Sequence, residues 1–209
     1  MVSKNGCFIV FEGIDGSGKS TQISLLKDHI EEHSINCMTT MEPSNGPIGT
    51  LLRQFLSGRI KGEETTLTAL FAADRLDHLN NPVNGIRKLL EDGIAVISDR
   101  YVFSNYAYQS VSVPLEWIMK CNEMANETVR PDCHIFIDVA PETAMDRVSK
   151  GRHQTDIYET LDRLTDVRER YLDLIHRMED VENIIIIDGN RPEKEIADDI
   201  WAKVCHYFV

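Results

Sequence analysis

Eight residues near the start of the chain, Gly13-Ile14-Asp15-Gly16-Ser17-Gly18-Lys19-Ser20, have the types and spacing of a phosphate cradle, G-x-x-x-x-G-K-S/T. Glycines at these places let successive backbone N–H groups turn toward one anion, and a helix starting after them adds positive potential. Lys19 is then expected to reach the β- and γ-phosphates of a nucleoside triphosphate. Ser20, followed by Thr21, is expected to offer its hydroxyl to Mg²⁺. With glycine at ~7% of residues, a chance match in a chain of this size has odds of order 1%. The cradle points to an NTP site without naming the reaction. The guanine-reading Asn-Lys-x-Asp segment of switch-type GTPases is missing from the sequence.

A second group stands where the apolar run Ile94–Ser98 ends in Asp99-Arg100-Tyr101. A carboxylate at the C-terminal end of a buried strand beside the cradle is expected to help hold Mg²⁺; Asp99 reads equally as a helix N-cap. Arg100 has two readings, a ligand for an acceptor phosphate or a structural partner of Asp99.

The elements that must position these groups alternate. Apolar runs of strand length occur at Cys7–Phe11, Cys37–Met41, Ile94–Ser98, His134–Val139 and Ile184–Asp188. Helical stretches separate them: Ile23, Leu26 and Ile30 share one helical face, and Leu161, Leu164, Tyr171, Ile175 and Met178 make a stripe along a later one. The charged run 162–173 reads as that helix's solvated face. Strands apolar throughout belong to parallel sheets covered on both sides. The expectation is a single α/β domain over 1–209, a three-layer sandwich around a parallel sheet of about five strands.

Bulk composition narrows the partners. The formal net charge of −12 argues against a nucleic-acid polymer, which needs a basic face, but not against a small phosphorylated ligand in a cleft. No window has the apolar length of a membrane span, and the N-terminus lacks a signal-peptide pattern, so a cytoplasmic protein is expected. Cys7, Cys37, Cys121, Cys133 and Cys205 are odd in number and widely spaced, which predicts buried reduced thiols.

The segment from Phe11 to Gln22 resembles the opening of thymidylate kinases, and Asp99 to Gln109 resembles their D-R-Y/H-x-x-S-x-x-A-Y-Q/S segment. Phe71-Ala72-Ala73-Asp74-Arg75 is similar to their F-x-A-D/N-R stretch, and Glu42-Pro43 to their turn after strand two. The resemblance runs in family order over essentially the whole chain. It implies a P-loop fold with a mobile lid near 147–158, ATP and Mg²⁺ as donor and cofactor, dTMP as acceptor, and a homodimer. It also implies roles. Asp15 would hold the acceptor's 3′-hydroxyl, Phe71 would stack on thymine, and Arg75 would bond a base carbonyl. Asn105 would contact the base edge, Tyr108 would crowd the 2′ position, and Arg53 and Arg100 would grip the 5′-phosphate. Taken singly, Phe71 and Tyr108 read also as core aromatics, and Arg53 and Arg75 as surface cations. Arg147, Lys150 and Arg152 would be lid cations, with a solvated basic loop as the other reading.

Two departures bear on the lid. Some thymidylate kinases carry an arginine in the phosphate loop, where position 16 here is Gly. Those without it usually have an R-G-E-x-D-R-x-E stretch in the lid, replaced here by the residues from Lys150 to Glu159. Arg152 is the expected main cation. Two other readings compete: a deoxynucleoside kinase with Glu42 as base, and a regulatory P-loop module without turnover.

Overall fold

The computed structural model describes residues 6–151 and 160–208. Five strands make one parallel sheet: β1 (Phe8–Glu12), β2 (Cys37–Met41), β3 (Ala95–Asp99), β4 (Cys133–Asp138) and β5 (Ile184–Asp188), in the order β2-β3-β1-β4-β5. The central strands β1, β3 and β4 are buried nearly throughout, as an apolar run covered on both faces demands. The edge strands are not. β2 exposes Met38 and Met41, and β5 exposes Ile186.

Among the described residues the helices are α1 (Lys19–Glu32), α2 (Pro47–Leu56), α3 (Glu64–Asn80), α4 (Ile86–Glu91), α5 (Val102–Gln109), α6 (Leu115–Thr128), α7 (Pro141–Gly151), α8 (Leu161–Met178) and α9 (Glu193–Val204). α1 packs on α9, while α3, α5, α6 and α8 form a second group through the α3–α6, α5–α6 and α5–α8 contacts. Between α1 and α9, Trp201 is clasped by His29, His33 and Phe208, with ring centroids 5.4, 5.0 and 6.1 Å away. The other tryptophan, Trp117, is exposed on α6.

β2 and β5 span the runs expected for them. β1 and β3 each carry one residue further, into Glu12 and Asp99, because their register pairs Phe11 with Asp99 and Glu12 with Phe136. β4 stops at Asp138; Val139 beyond it is buried but outside the ladder. Four strands therefore end in a carboxylate, at Glu12, Asp99, Asp138 and Asp188.

The α8 stripe buries Leu164, Tyr171 and Ile175, leaves Leu161 exposed and packs Met178 against the core's rim. Its charged run is not wholly solvated. Arg168 forks onto Asp138 at 2.7 and 2.9 Å, and Arg163 donates to the Tyr108 carbonyl at 2.8 Å. All five cysteines are free thiols, of which only Cys133 is fully buried. No helix among the described residues is long and apolar enough to cross a membrane.

Candidate active site

The order β2-β3-β1-β4-β5 reverses direction at β1, so a crevice opens where the loops after β1, β3 and β4 diverge. The phosphate loop occupies it. Gly13, Gly16 and Gly18 have φ of 143°, 80° and 96°, and Gly18 caps the start of α1. A Cβ on Gly16 would stand 2.3 Å from the Ala144 carbonyl oxygen, so α7 closes on this loop too tightly for any side chain there.

Lys19 is buried in the loop, its Nζ donating to the Gly13 and Ile14 carbonyls at 3.0 Å each. Burial, and after it the Arg100 charge, pull its ammonium down to about 8, with Asp99, Asp15 and Glu12 acting the other way. The Ser20 hydroxyl donates to Asp99 Oδ2 at 3.2 Å. Asp99 Oδ1 is buried with no hydrogen-bond partner among the described residues, and the cap of α5 is Tyr101, so Asp99 is not an N-cap. A serine oxygen beside a half-satisfied carboxylate fits a hard dication that keeps most of its ligands as phosphate and water oxygens.

Arg100 is the hinge of the site. Its φ is +76°, a conformation that costs a non-glycine residue ~1–3 kcal/mol unless its surroundings enforce it. They do. Its N–H donates to the Phe11 carbonyl at 2.8 Å, and its own carbonyl accepts from Ser98 Oγ at 2.8 Å. The guanidinium then donates to Asp15 Oδ1 at 2.6 Å, Ser104 Oγ at 2.9 Å and the Gly13 carbonyl at 3.1 Å, over the Tyr108 ring. The ion pair offered to Asp99 is thus made to Asp15. Asp15 also accepts from the Tyr108 hydroxyl at 2.8 Å. Burial works to raise the Asp15 carboxyl, but Arg100 and Lys19 together outweigh it and hold the group below its ordinary range.

Beneath this pair lies Glu12, fully buried, which accepts from Ser104 at 2.6 Å, Tyr171 at 2.9 Å and the Tyr101 N–H at 3.0 Å. Burial pushes its carboxyl above the usual range, and the Ser104 bond, the Arg100 charge and the Tyr171 bond offset this only in part. Glu12, Ser104 and Tyr171 were not singled out from sequence as site residues. Tyr171 is 159 positions from Glu12, and its place in a helical stripe signals only core.

Two clefts meet at this hinge. One, of about 640 Å³, is lined by Gly16, Gly18, Lys19, Ser20, Thr21 and Asp99, with Arg147 and Val148 of α7 across from them. Arg147 is anchored by the Gly189 carbonyl at 3.0 Å. The other is lined by Phe71, Arg75, Tyr101, Asn105, Tyr108 and Gln109 among others, a mix of apolar rings and polar groups that suits a small molecule. Asp15, Glu42 and Arg100 belong to both walls.

The structure separates the remaining expectations. Phe71 is half-buried at the second cleft, outside the core cluster, and Tyr108 is buried along it. Arg75 is no surface cation: it is 1% exposed, paired to Glu42 at 2.5 Å and bonded to Asn122. Both Glu42 oxygens are engaged, one by Arg75 and one by His78 at 3.4 Å. Arg53 lines neither cleft and instead donates to the Pro43 and Ser44 carbonyls at 2.9 and 2.7 Å. Positions 147–151 of the expected lid are the end of α7; Arg152 lies outside the described residues, as does the Lys150 side chain. Gln109 was legible only as part of the Asp99–Gln109 segment, and Asn122 not at all.

A sequence model of one family, described as thymidylate kinase, matches residues 11–200. The chain is 38% identical over 202 residues to a thymidylate kinase of Symbiobacterium thermophilum, covering 92% of this chain and 90% of that one. It is 37% identical over 206 residues to a probable thymidylate kinase of Methanobrevibacter smithii, covering 96% and 95%. A probable thymidylate kinase of Methanococcus aeolicus is 37% identical over 201 residues, covering 94% and 95%.

Proposed function

Because the chain belongs to the thymidylate kinase family, we propose that it transfers the γ-phosphoryl group of ATP to dTMP, giving dTDP and ADP for dTTP synthesis. The observation that carries this reading is the shared wall of two clefts: Asp15 and Arg100 border both the phosphate loop and the second, partly apolar cleft. A donor in one and an acceptor in the other bring their phosphates together across that wall.

The acceptor is itself a phosphate whose second pKa is about 6, so its oxygen is a competent nucleophile at neutral pH. Positioning and charge stabilisation are what remain to be done. Lys19 and the loop's N–H groups hold the donor phosphates, and Ser20 and Asp99 hold Mg²⁺, which when bound neutralises charge on the phosphates. Arg100 grips the acceptor phosphate and Asp15 takes the 3′-hydroxyl, while Arg53 joins the phosphate only if it leaves the Pro43 and Ser44 carbonyls. Phe71 stacks on the base, Arg75 and Asn105 read its edge, and Tyr108, its hydroxyl tied to Asp15, crowds the 2′ position. Glu42 serves as an anchor for Arg75. With both oxygens occupied, it is poorly placed to be the base that a neutral 5′-hydroxyl would need.

Arg152 is proposed as the main transition-state cation, supported by Arg147 and Lys150. The close approach of α7 to Gly16 supports this, since the phosphate loop has no room for an arginine of its own. The protein is read as cytoplasmic and as a homodimer, the latter supported by the exposed Trp117 and Met124 seven positions apart on α6. Light scattering that returns the mass of one chain would remove the dimer.

The direct experiment follows ADP formation from ATP-Mg²⁺ with dTMP, dUMP, UMP, CMP and thymidine in turn. dTMP is expected to lead, with dUMP a poorer substrate, because one methyl is worth only ~1–3 kcal/mol. Thymidine as the better acceptor, or UMP or CMP equal to dTMP in kcat/KM, would overturn the reading.

A further inference from the structure

Asn122, on α6, belongs to no motif and lines neither cleft, yet it is fully buried and its amide is saturated. Its Oδ1 accepts from Arg75 Nη1, and its Nδ2 donates to Asn105 Oδ1 and the Ile118 carbonyl at 2.8 Å each. A guanidinium has only donors, so the Asn122 oxygen must face Arg75 and its nitrogen must face Asn105. The constraint propagates. Asn105 receives on its oxygen, turns its nitrogen to Gln109, and finds Oε1 there at 3.0 Å. The Gln109 oxygen is thereby directed to Asn105 and its nitrogen away from it. Arg75, Asn105 and Gln109 all line the second cleft. An amide is nearly symmetric in shape, so packing alone does not choose which end it shows. Here the choice is made at the far end, by a charge that cannot be turned round. Arg75 is itself pinned, with Nη2 on Glu42, Nη1 on Asn122, and Nε buried without a partner among the described residues.

We propose that Asn122 is a positioning residue that sets acceptor-base specificity. It fixes the one-way run of donors Arg75→Asn122→Asn105→Gln109, so that an N–H group is held toward ring position 4 of the base. A pyrimidine with a carbonyl at ring position 4 is accepted. One with an amino group there sets donor against donor, leaving buried N–H groups unpaired on both sides. The inference rests on the reading of the second cleft as the site of a pyrimidine deoxynucleoside monophosphate.

The test uses dUMP and dCMP, which lack the methyl group and differ only along that edge, and reads the ratio of their kcat/KM values. Wild type favours dUMP. Asn122→Asp can still receive Arg75 but cannot donate, so Asn105 and then Gln109 turn over, and the ratio falls roughly tenfold or more. Asn105→Asp reverses only the last link and moves the ratio the same way, which keeps the proposal testable if the first variant folds poorly. Asn126→Ala, on the same helix but bonded to the Tyr106 hydroxyl outside the run, leaves the ratio unchanged. Folded Asn122→Asp and Asn105→Asp proteins with wild-type ratios would overturn the relay. So would a wild type that phosphorylates dTMP yet treats dUMP and dCMP alike, with the proposed function left standing. A wild type inert toward dTMP overturns both.

Discussion

Lys19 and Arg100 hold positive charge at the meeting of the clefts, Lys19 buried and Arg100 half-buried before any phosphate arrives. For Lys19 this has a sign that can be checked. Desolvation holds its pKa near 8 in the free protein, so above pH 8 much of the site lacks that proton. Phosphate charge favours the ammonium and draws the proton back. ATP-Mg²⁺ binding at about pH 8.5 is therefore expected to take up a substantial fraction of a proton, measured by calorimetry in buffers of different ionisation enthalpy. Lys19→Ala should show no such uptake and should lose about 10²-fold or more in kcat/KM. Near wild-type turnover by the folded variant would remove Lys19 from the mechanism. At this scale the sequence is readable where residues that act together are also close in the chain, as from Gly13 to Ser20. It is silent where they are not. Tyr171 reaches Glu12 across 159 positions with nothing local to distinguish it from an ordinary core residue, and Ser104, 92 positions away, is marked only as one letter of the Asp99–Gln109 segment.

The elements place those residues through a few close approaches. Gly16 has φ +80° and no room for a Cβ beside the Ala144 carbonyl, so Gly16→Ala forces α7 away from the phosphate loop. The expected cost is about 1–3 kcal/mol, seen as a lower Tm with weaker stabilisation by added ATP. An unchanged melting curve would show that α7 yields freely. β4 supplies a second case. His134 is buried against Phe103, ring centroids 4.3 Å apart, and burial pushes it down to about 3 from 6.5. The folded protein keeps it neutral while the unfolded chain protonates it, so stability is present above about pH 6.5 and drains away as pH falls toward 3. His134→Phe should remove that loss, so that its Tm advantage widens between pH 6.5 and about 4. Parallel curves for the two proteins would deny His134 that role, leaving acid loss to carboxyls held low in the fold, such as Asp15. The strands were legible from their apolar runs to within a residue. The error fell where a carboxylate continues the ladder, as Glu12 and Asp99 do, because hydrophobicity cannot register a hydrogen-bonded acid.

For the whole molecule, a formal charge of −12 coexists with two clefts meant for polyanions. The cradle offsets this locally with backbone N–H groups, Lys19, Arg100 and Arg147, so a strongly negative net charge is compatible with binding nucleotides. The α/β architecture was readable from alternation alone, whereas the meeting of the clefts depended on topology, through the reversal at β1. One last feature lies away from the chemistry. The sequence has two tryptophans, and the fold sends them to separate helices. Trp201 sits on α9, stacked on His29 and His33 at the C-terminal end of α1, the end away from the phosphate loop. Trp117 sits on α6, exposed, five positions before the buried Asn122. The chain thus carries two fluorophores in unlike surroundings, one ring stacked between helices and one open to solvent, and replacing either with phenylalanine leaves the other's emission to be read alone.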